Sequence, residues 1–521
     1  MKTKVLATIG LLATALTSYA GGLLTNTNQS ISYLRVLARN GAIGIDGVYF
    51  NPAGVAFLSD GFHLGLGVQN IYQTRTVTTG MTIPALKPLG FEHPFSLNGG
   101  DANGAKTFKA KAAVPIFPTI QAVYNKDKWS FQFGFGVVGG GGKATFSDGL
   151  GSFERNIAMI PILLASNPDT RTTSPSYSYN AYMSGQQYDF GVQLGAAYKI
   201  NEHLAVYGGA RFNYFYNKYE GHLTDITANI KGTNEKLYPY FDAKAKGLKA
   251  LAEGIAAKAK AAQSPEKEKL QAAAAKYTAV AKQLEGYKEK VADKYLDNTQ
   301  KGWGITAIIG IDYKSGPWNV AAKYEFPTRL NLENQIKVDN TGMFKEGVNT
   351  PGDLPAILAI GGQYSGIKNV RLLASFNYYF DKDARMDKDK QKLLSGNTRE
   401  YMGGVEWDIT PAITVSGGVQ CTRYGLGDGA YLSDISFVTS SVSYGIGAKF
   451  KIMKNASLNV GYFLTDYEHF KKDTKLPMSA GNPVEVNVSE DFTRTNKVFG
   501  VGLDIDSVSY THLTLPTTSR V

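Results

Sequence analysis

Residues 442–450, Val-Ser-Tyr-Gly-Ile-Gly-Ala-Lys-Phe, alternate between apolar side chains and small or polar ones. Successive side chains of a β-strand point to opposite faces, so Tyr444 falls on one face and Gly445 on the other. This period of two predicts a strand with one apolar face and one small, polar face. The lipid-facing and lumen-facing rows of a transmembrane β-barrel have this pattern, but so do the strands of a soluble β-sandwich.

The connections between such segments decide between these two folds. Fourteen candidate strands can be placed, and each even-numbered one is followed by a short turn, such as residues 125–128, 200–202 or 453–455. Each odd-numbered one is followed by a longer loop. An even strand count with short periplasmic turns and long extracellular loops is typical of an outer-membrane barrel, so the sequence predicts an all-β, 14-stranded antiparallel transmembrane barrel. The candidate strands are residues 60–78, 114–125, 129–146, 185–199, 203–220, 301–314, 318–330, 354–365, 369–381, 398–409, 411–424, 437–452, 456–468 and 492–506.

Composition favours the same fold. The 521 residues include 57 Gly, 31 Tyr and 26 Phe, and only 19% are charged, which suits curved sheets and interfacial aromatic girdles. After residue 20 no apolar run reaches the roughly 18 residues of a membrane-spanning helix. The net charge of +11 is spread through loops and turns, so it indicates no nucleic-acid partner. The neighbours of such a barrel would be outer-membrane lipids.

The first 20 residues have the organisation of a secretory signal peptide. Lys2 and Lys4 precede an apolar stretch, Val5 to Leu16, that is too short to span a bilayer. Small residues at Ser18 and Ala20 fit a signal-peptidase site. We therefore expect residues 1–20 to be removed on export, and we expect the protein to lie in the outer membrane of a Gram-negative cell.

The last residues resemble a cloning scar rather than protein. Residues 508–521 match the translation of a transposase-type sequencing adapter, so the native sequence is expected to end near Asp506 or Ser507. The last candidate strand, 492–506, would then run into foreign sequence. We expect the tail after Ser507 not to pack like the rest of the chain.

Two segments do not read as barrel strands. The predicted barrel covers residues 60–506. Residues 21–59 precede its first strand and could form a plug in its lumen. Residues 238–296 are rich in Ala, Lys and Glu, and Leu270, Tyr277 and Leu284 recur every seven residues. This pattern predicts a helical hairpin inserted in an extracellular loop. A ligand-collecting lid and a solvated decoration are both compatible with it.

The stretch Ala42-Ile-Gly-Ile-Asp-Gly-Val-Tyr-Phe-Asn-Pro-Ala-Gly-Val-Ala56 carries the strongest resemblance to a known family. It resembles the N-terminal hatch of the FadL family, outer-membrane transporters of long-chain fatty acids and other hydrophobic compounds. Residues 114–124 and 129–136 also resemble that family's second and third strands. The resemblance implies a monomeric, cofactor-free channel with a lumenal hatch, which takes up hydrophobic small molecules passively.

The hatch motif itself predicts a compact turn. Pro52 removes a backbone donor and fixes φ, and Gly54 allows a positive φ. Asn51 can bond its own backbone. We expect this turn to be displaced as a unit, with Phe50, Asn51, Pro52, Ala53 and Gly54 forming the gate for the ligand. A plain surface loop is the alternative.

Four consecutive glycines, Gly139, Gly140, Gly141 and Gly142, interrupt the third candidate strand. Four residues without side chains cannot support a straight, well-packed ladder, so they predict a bulge or a kink. In the family that the chain resembles, a kink here opens a gap through which ligand leaves sideways into the membrane. A flexible strand end is the alternative.

Polar candidates are few. Arg211 and Lys449 face the lumen by parity and could meet a ligand carboxylate, or they could be ordinary lumen charges. The histidines are scattered without metal-ligand spacing, and no serine context marks a nucleophile, so we expect no catalytic residues, no metal and no enzyme activity. A general porin and a structural or adhesive barrel remain as alternative functions.

Overall fold

The computed structural model of the protein describes residues 23, 25–165, 170, 172–477 and 485–508. The predicted signal peptide lies outside the described residues. Most of the predicted foreign tail, residues 509–521, also lies outside them, while Ser507 and Val508 continue the last strand.

The described residues contain eighteen strands, of which fourteen close a barrel. The other four, β6, β9, β10 and β17, extend the sheet at the loop end. The strands are β1 (Gly61–Thr82), β2 (Ala105–Lys126), β3 (Trp129–Phe146), β4 (Tyr177–Lys199), β5 (Leu204–Ile230), β6 (Thr233–Lys236), β7 (Lys294–Ser315), β8 (Trp318–Glu325), β9 (Asn331–Asp339), β10 (Asn349–Pro351), β11 (Ile357–Ile367), β12 (Val370–Tyr379), β13 (Thr398–Thr410), β14 (Ile413–Arg423), β15 (Ser441–Met453), β16 (Ala456–Tyr467), β17 (Phe470–Pro477) and β18 (Glu485–Val508).

The barrel closes where β1 pairs with β18, from Gly61 opposite Val508 to Thr82 opposite Asn487. Every barrel strand is antiparallel to both neighbours, so the predicted 14-stranded antiparallel barrel is confirmed. Several strands run further toward the long loops than the alternation of side chains suggests. β2, for example, begins at Ala105 rather than at residue 114, because backbone pairing with β1 continues where the outward side chains are already polar.

The outer surface carries an apolar band with a sharp upper limit. On β2 the outward positions from Ala113 to Tyr124 are apolar, and Lys111 and Lys126 bound them. These dozen residues match the span of a tilted barrel strand across a bilayer. Lysines mark the same limit on the outward faces of neighbouring strands: Lys143 on β3, Lys218 on β5, Lys301 on β7 and Lys497 on β18.

In the described part of the chain, five α-helices accompany the strands: α1 (Ile31–Val36), α2 (Gly47–Phe50), α3 (Gly151–Ala165), α4 (Leu237–Ala261) and α5 (Glu266–Lys290). The last two form a hairpin within the loop between β5 and β7. Their buried seam consists chiefly of alanines, whereas Leu270, Tyr277 and Leu284 are only half-buried. No helix among the described residues is long and apolar enough to cross a membrane.

Candidate functional site: the hatch and the interrupted wall

Residues 25–58 fold into a small body inside the barrel, which we call the hatch. Ser30 starts α1, and its hydroxyl accepts a hydrogen bond from the backbone N–H of Tyr33 at 2.9 Å. Nearly all hatch residues are buried. Side chains from four strands of the wall donate to hatch carbonyls: Asn125 on β2, Gln132 on β3, Gln193 on β4, and Asn319 and Lys323 on β8.

A buried ionic cluster ties one side of the hatch to β13. Arg39 forms a bidentate pair with Asp46 within the hatch, at 2.8 and 2.7 Å. Glu406 accepts from Arg35 of the hatch at 3.2 Å and from Arg371 of β12 at 3.0 Å. Buried charges of this kind are stable only when all partners are present, so this side of the hatch is a firm anchor.

The candidate gate residues are packed tightly in the hatch. Phe50 stacks on Tyr33, with ring centroids 5.4 Å apart, and Ala53 is fully buried. The side chain of Asn51 accepts from the N–H of Gly54 at 3.1 Å and donates to Asp312 of β7 at 2.6 Å. Gln132 of β3 donates to the carbonyl of Pro52 at 2.7 Å. These residues are therefore bonded to two separate strands of the barrel wall, β3 and β7.

Gly54 does not adopt the positive φ that the motif suggested, since it begins a 3₁₀ turn with right-handed geometry. Its role is spatial. A Cβ at this position would lie 2.3 Å from the Asn51 amide nitrogen and 2.8 Å from an Asp312 carboxylate oxygen. Glycine is required here because two bonded polar side chains occupy the space beside its Cα.

The wall is interrupted between β2 and β3. The two strands pair from Lys126 opposite Trp129 up to Ile120 opposite Phe135, and again from Ala112 opposite Ala144. Between these points, residues 113–119 of β2 and residues 136–143 of β3 do not pair with each other. We call this unpaired stretch the gap.

The four glycines lie in the gap and distort β3. Against β4, the register of β3 shifts once between Val137 and Gly139 and again between Gly140 and Gly142, so that Val138 and Gly141 are extra residues. Gly140 and Gly142 have φ of 72° and 92°, which disfavours any other residue there. Two bulges so close together bend the strand away from β2.

Two prolines on the opposite side of the gap also mark it in the amino-acid sequence, although they were not predicted as site residues. Pro115 and Pro118 of β2 both lie within its unpaired stretch. Proline has no backbone N–H to donate, and it occurs in sheets mainly at edges or bulges. Two prolines spaced by three residues inside a barrel strand thus indicate a local edge, which is how this part of β2 behaves.

The first residues of the hatch cover the gap from inside. The backbone N–H of Asn26 donates to the carbonyl of Val138 at 2.7 Å, and the side chain of Gln29 donates to the carbonyl of Val137 at 2.8 Å. Gln121 of β2 donates to the carbonyl of Gln29 at 2.9 Å. These are neutral hydrogen bonds, in contrast to the ionic anchor on β13.

Arg211 faces the lumen, as parity predicts, and already has a carboxylate partner. Its guanidinium donates to Glu325 of β8 and lies over the ring of Tyr49 in the hatch. Lys323 donates to the same Glu325 at 2.6 Å. A small cavity beside Arg211 adjoins the gap, lined by Gln29, Val48, Tyr49, Gln121, Gly134, Phe135, Gly136, Val138, Gly191 and Gln193.

The structure does not bring Lys449 to this place. Its ammonium lies 3.7 Å from Asp504 of β18, near the short-turn end of the barrel. Arg211 and Lys449 belong to separate charge clusters, and neither stands opposite the other across a pocket. In this structure each of them pairs with an internal carboxylate, Glu325 and Asp504 respectively, as expected for ordinary lumen charges.

Above the hatch, the long loops fill the barrel mouth with apolar side chains. One cluster joins Leu23, Met386, Leu394, Tyr431 and Phe437 with neighbouring wall residues. Lys390 borders it, with its ammonium 4.4 Å from the centre of the Tyr431 ring. Burial and the nearby charge of Lys472 lower the pKa of Lys390 to about 7, against the opposing effect of Asp387.

A second apolar cluster lies beneath the helical hairpin. It joins α3 and the ends of β4 and β5 with the base of α4, through Ile157, Ile162, Ile226, Leu237 and Phe241. Half-buried apolar residues from three different loops pack against it. Among the described residues, no group of three or more His, Cys, Asp or Glu is placed to hold a metal ion.

No protein-family model matches the chain, and no curated protein matches its sequence. Among solved structures, a Pseudomonas aeruginosa FadL homologue is similar, with a TM-score of 0.56 at 12% identity, over 93% of this chain and 100% of that one. The toluene transporters TodX of P. putida and TbuX of Ralstonia pickettii match with TM-scores of 0.47 and 0.44, at 12% and 13% identity, over 90% and 89% of this chain and 95% and 94% of theirs. The chain therefore has the fold of a FadL homologue. The FadL family is also the family that its hatch motif resembles.

Proposed function

We propose that this protein belongs to the FadL family and is an outer-membrane channel for the passive uptake of hydrophobic small molecules, such as long-chain fatty acids or aromatic hydrocarbons. The observation that carries this proposal is the gap between β2 and β3, which lies at the height of the apolar outer band. A polar solute gains nothing from an exit into lipid. An apolar solute gains the free energy of leaving water, so no energy source is needed.

Ligand first meets the apolar clusters of the extracellular loops. Half-buried Leu86, Phe91 and Tyr240 border the cluster beneath the helical hairpin, so an apolar solute can partition onto this surface. From there it passes to the cluster around Met386 and Tyr431 in the barrel mouth. The hatch closes the route below.

Exit requires that the hatch uncover the gap. Residues 26–29 close it with a few neutral hydrogen bonds, while Arg35 and Arg39 hold the other side through ion pairs with Glu406. Because neutral bonds are individually weaker than charge-assisted ones, the first segment of the hatch should move before the anchored part. The Phe50–Gly54 turn, which the motif predicts as the gate, is bonded to Asp312 and Gln132 and then forms the floor below the moving segment.

Three deletions should give β2 and β3 equal lengths across the gap. Deleting Ile116, Val138 and Gly141 together leaves six of the seven unpaired β2 residues and six of the eight unpaired β3 residues. These pair one to one, and each keeps its inward or outward face. We expect this variant to form a barrel but to lose uptake of a labelled long-chain fatty acid and of toluene into vesicles.

The matched control deletes Lys337, the extra residue of the bulge between β7 and β9, away from the gap. It should transport like the parent protein. Full uptake by the triple-deletion variant, with its folding verified by heat-modifiable migration, would rule out lateral exit. Flux of a small sugar without fatty-acid or toluene uptake in the parent protein would favour a general porin instead.

A further inference from the structure

At the upper edge of the gap and beside it, the outer surface of the barrel carries a cluster of four lysines, Lys109, Lys111, Lys143 and Lys218, which we call the lysine cluster. Lys109 and Lys111 are exposed on the outward face of β2, and neither has an ion-pair partner among the described residues. Lys143 and Lys218 flank Glu220, at 3.1 and 2.6 Å. Four positive charges therefore face the one acid that touches them.

The strand registers place these side chains close together. Lys111 pairs with Thr145 of β3, two residues from Lys143 on the same face, so Lys111 and Lys143 are diagonal neighbours. Lys143 pairs with Gln186 of β4, which in turn pairs with Lys218 of β5. On the other side, Thr76 and Thr74 of β1 lie opposite Lys109 and Lys111 and add hydroxyl groups.

Below the lysine cluster the same surface is apolar. Ile116 at the gap and Phe131 on β3 are exposed to the surroundings of the barrel by 69% and 53%. A charged row directly above an apolar wall matches an amphiphile whose anionic head lies at the cluster and whose chains lie along the wall. Phosphate groups suit the head, since lysine ammoniums bind them as point charges and hydroxyls donate to their oxygens.

We infer that the lysine cluster binds the phosphate groups of an outer-leaflet lipid, whose acyl chains lie over the outer mouth of the gap. The inference rests on the membrane orientation of the proposed function. The lipid covers the exit from outside as the hatch covers it from inside, so a ligand that leaves the lumen meets lipid chains rather than water.

The test measures lipid retention by the purified full-length barrel in neutral detergent, with bisphosphorylated lipid A as the probe and native mass spectrometry as the readout. Each basic side chain beside an anionic lipid contributes about fivefold to binding. The triple substitution Lys109→Gln, Lys111→Gln, Lys143→Gln should therefore weaken retention about 100-fold. Substitution of the same three lysines by arginine should keep it, and so verifies that the altered surface still folds.

The control substitutes Lys258, Lys260 and Lys269 of the helical hairpin by glutamine, which removes the same charge from an exposed surface elsewhere. It should retain lipid like the parent. Equal retention of dephosphorylated lipid A, unchanged retention by the triple variant or equal loss in the control would overturn the inference. Displacement of the lipid by inorganic phosphate alone would also overturn it, because the chains would then contribute nothing. No uptake is measured, so this outcome is independent of the transport test.

Discussion

At Gly54 the hatch leaves no room for a side chain. A Cβ there would meet the amide of Asn51 and the carboxylate of Asp312, which bond to each other at 2.6 Å. Gly54→Ala should therefore push Asn51 away from Asp312 and lower the free energy of unfolding by about 1–3 kcal/mol. Urea unfolding of the refolded barrel measures this. Gly208→Ala is the control, because an outward Cβ there meets nothing within 4 Å, and equal stability of the two variants would contradict the spatial role of Gly54.

Among the elements, the hatch depends on Glu406 of β13 for its firm side. Glu406→Ala removes the carboxylate that Arg35 and Arg371 share, and leaves buried guanidiniums without it. Removing one partner of a buried ion pair costs about 3–5 kcal/mol. We expect the hatch to loosen while the barrel persists, so that a protease cleaves residues 25–58 from the variant but not from the parent. The control is Glu333→Ala, at an exposed residue of β9. Equal resistance of the hatch to the protease in all three proteins would refute this anchoring.

For the whole molecule, the apolar band predicts a membrane position. Ile446 is among the most exposed apolar residues, at 65%, and points outward in the middle of β15. In a Cys421→Ser background, the only cysteine of Ile446→Cys should not react with a water-soluble maleimide in intact membranes, and should react after denaturation. The companion variant Lys258→Cys, on the exposed helical hairpin, should react in both states. Rapid labelling of Ile446→Cys in membranes would contradict the outer-membrane location.

Residue patterns predict some of these features and miss others. Alternation locates all fourteen barrel strands, since each carries its own apolar and polar rows. It ends too early at the loop side of β2, where pairing continues without alternation. Parity gives the face of Arg211 but not its partner, because Glu325 comes from a different strand. The glycines of β3 predict a distortion, but the gap also depends on Pro115 and Pro118 of β2, which mean little until the two strands are known to be neighbours.

Strand faces, short turns, the hatch motif and the glycine interruption can all be predicted from the amino-acid sequence, because each depends on residues close in the chain. How distant segments meet follows only from the folded barrel. Strand pairing places the first hatch residues over the gap, gives Arg211 an internal partner and gathers the lysines of three strands at the upper edge of the gap. Strand register explains this, because antiparallel pairing brings together residues far apart in the chain, and one bulge shifts every contact beyond it.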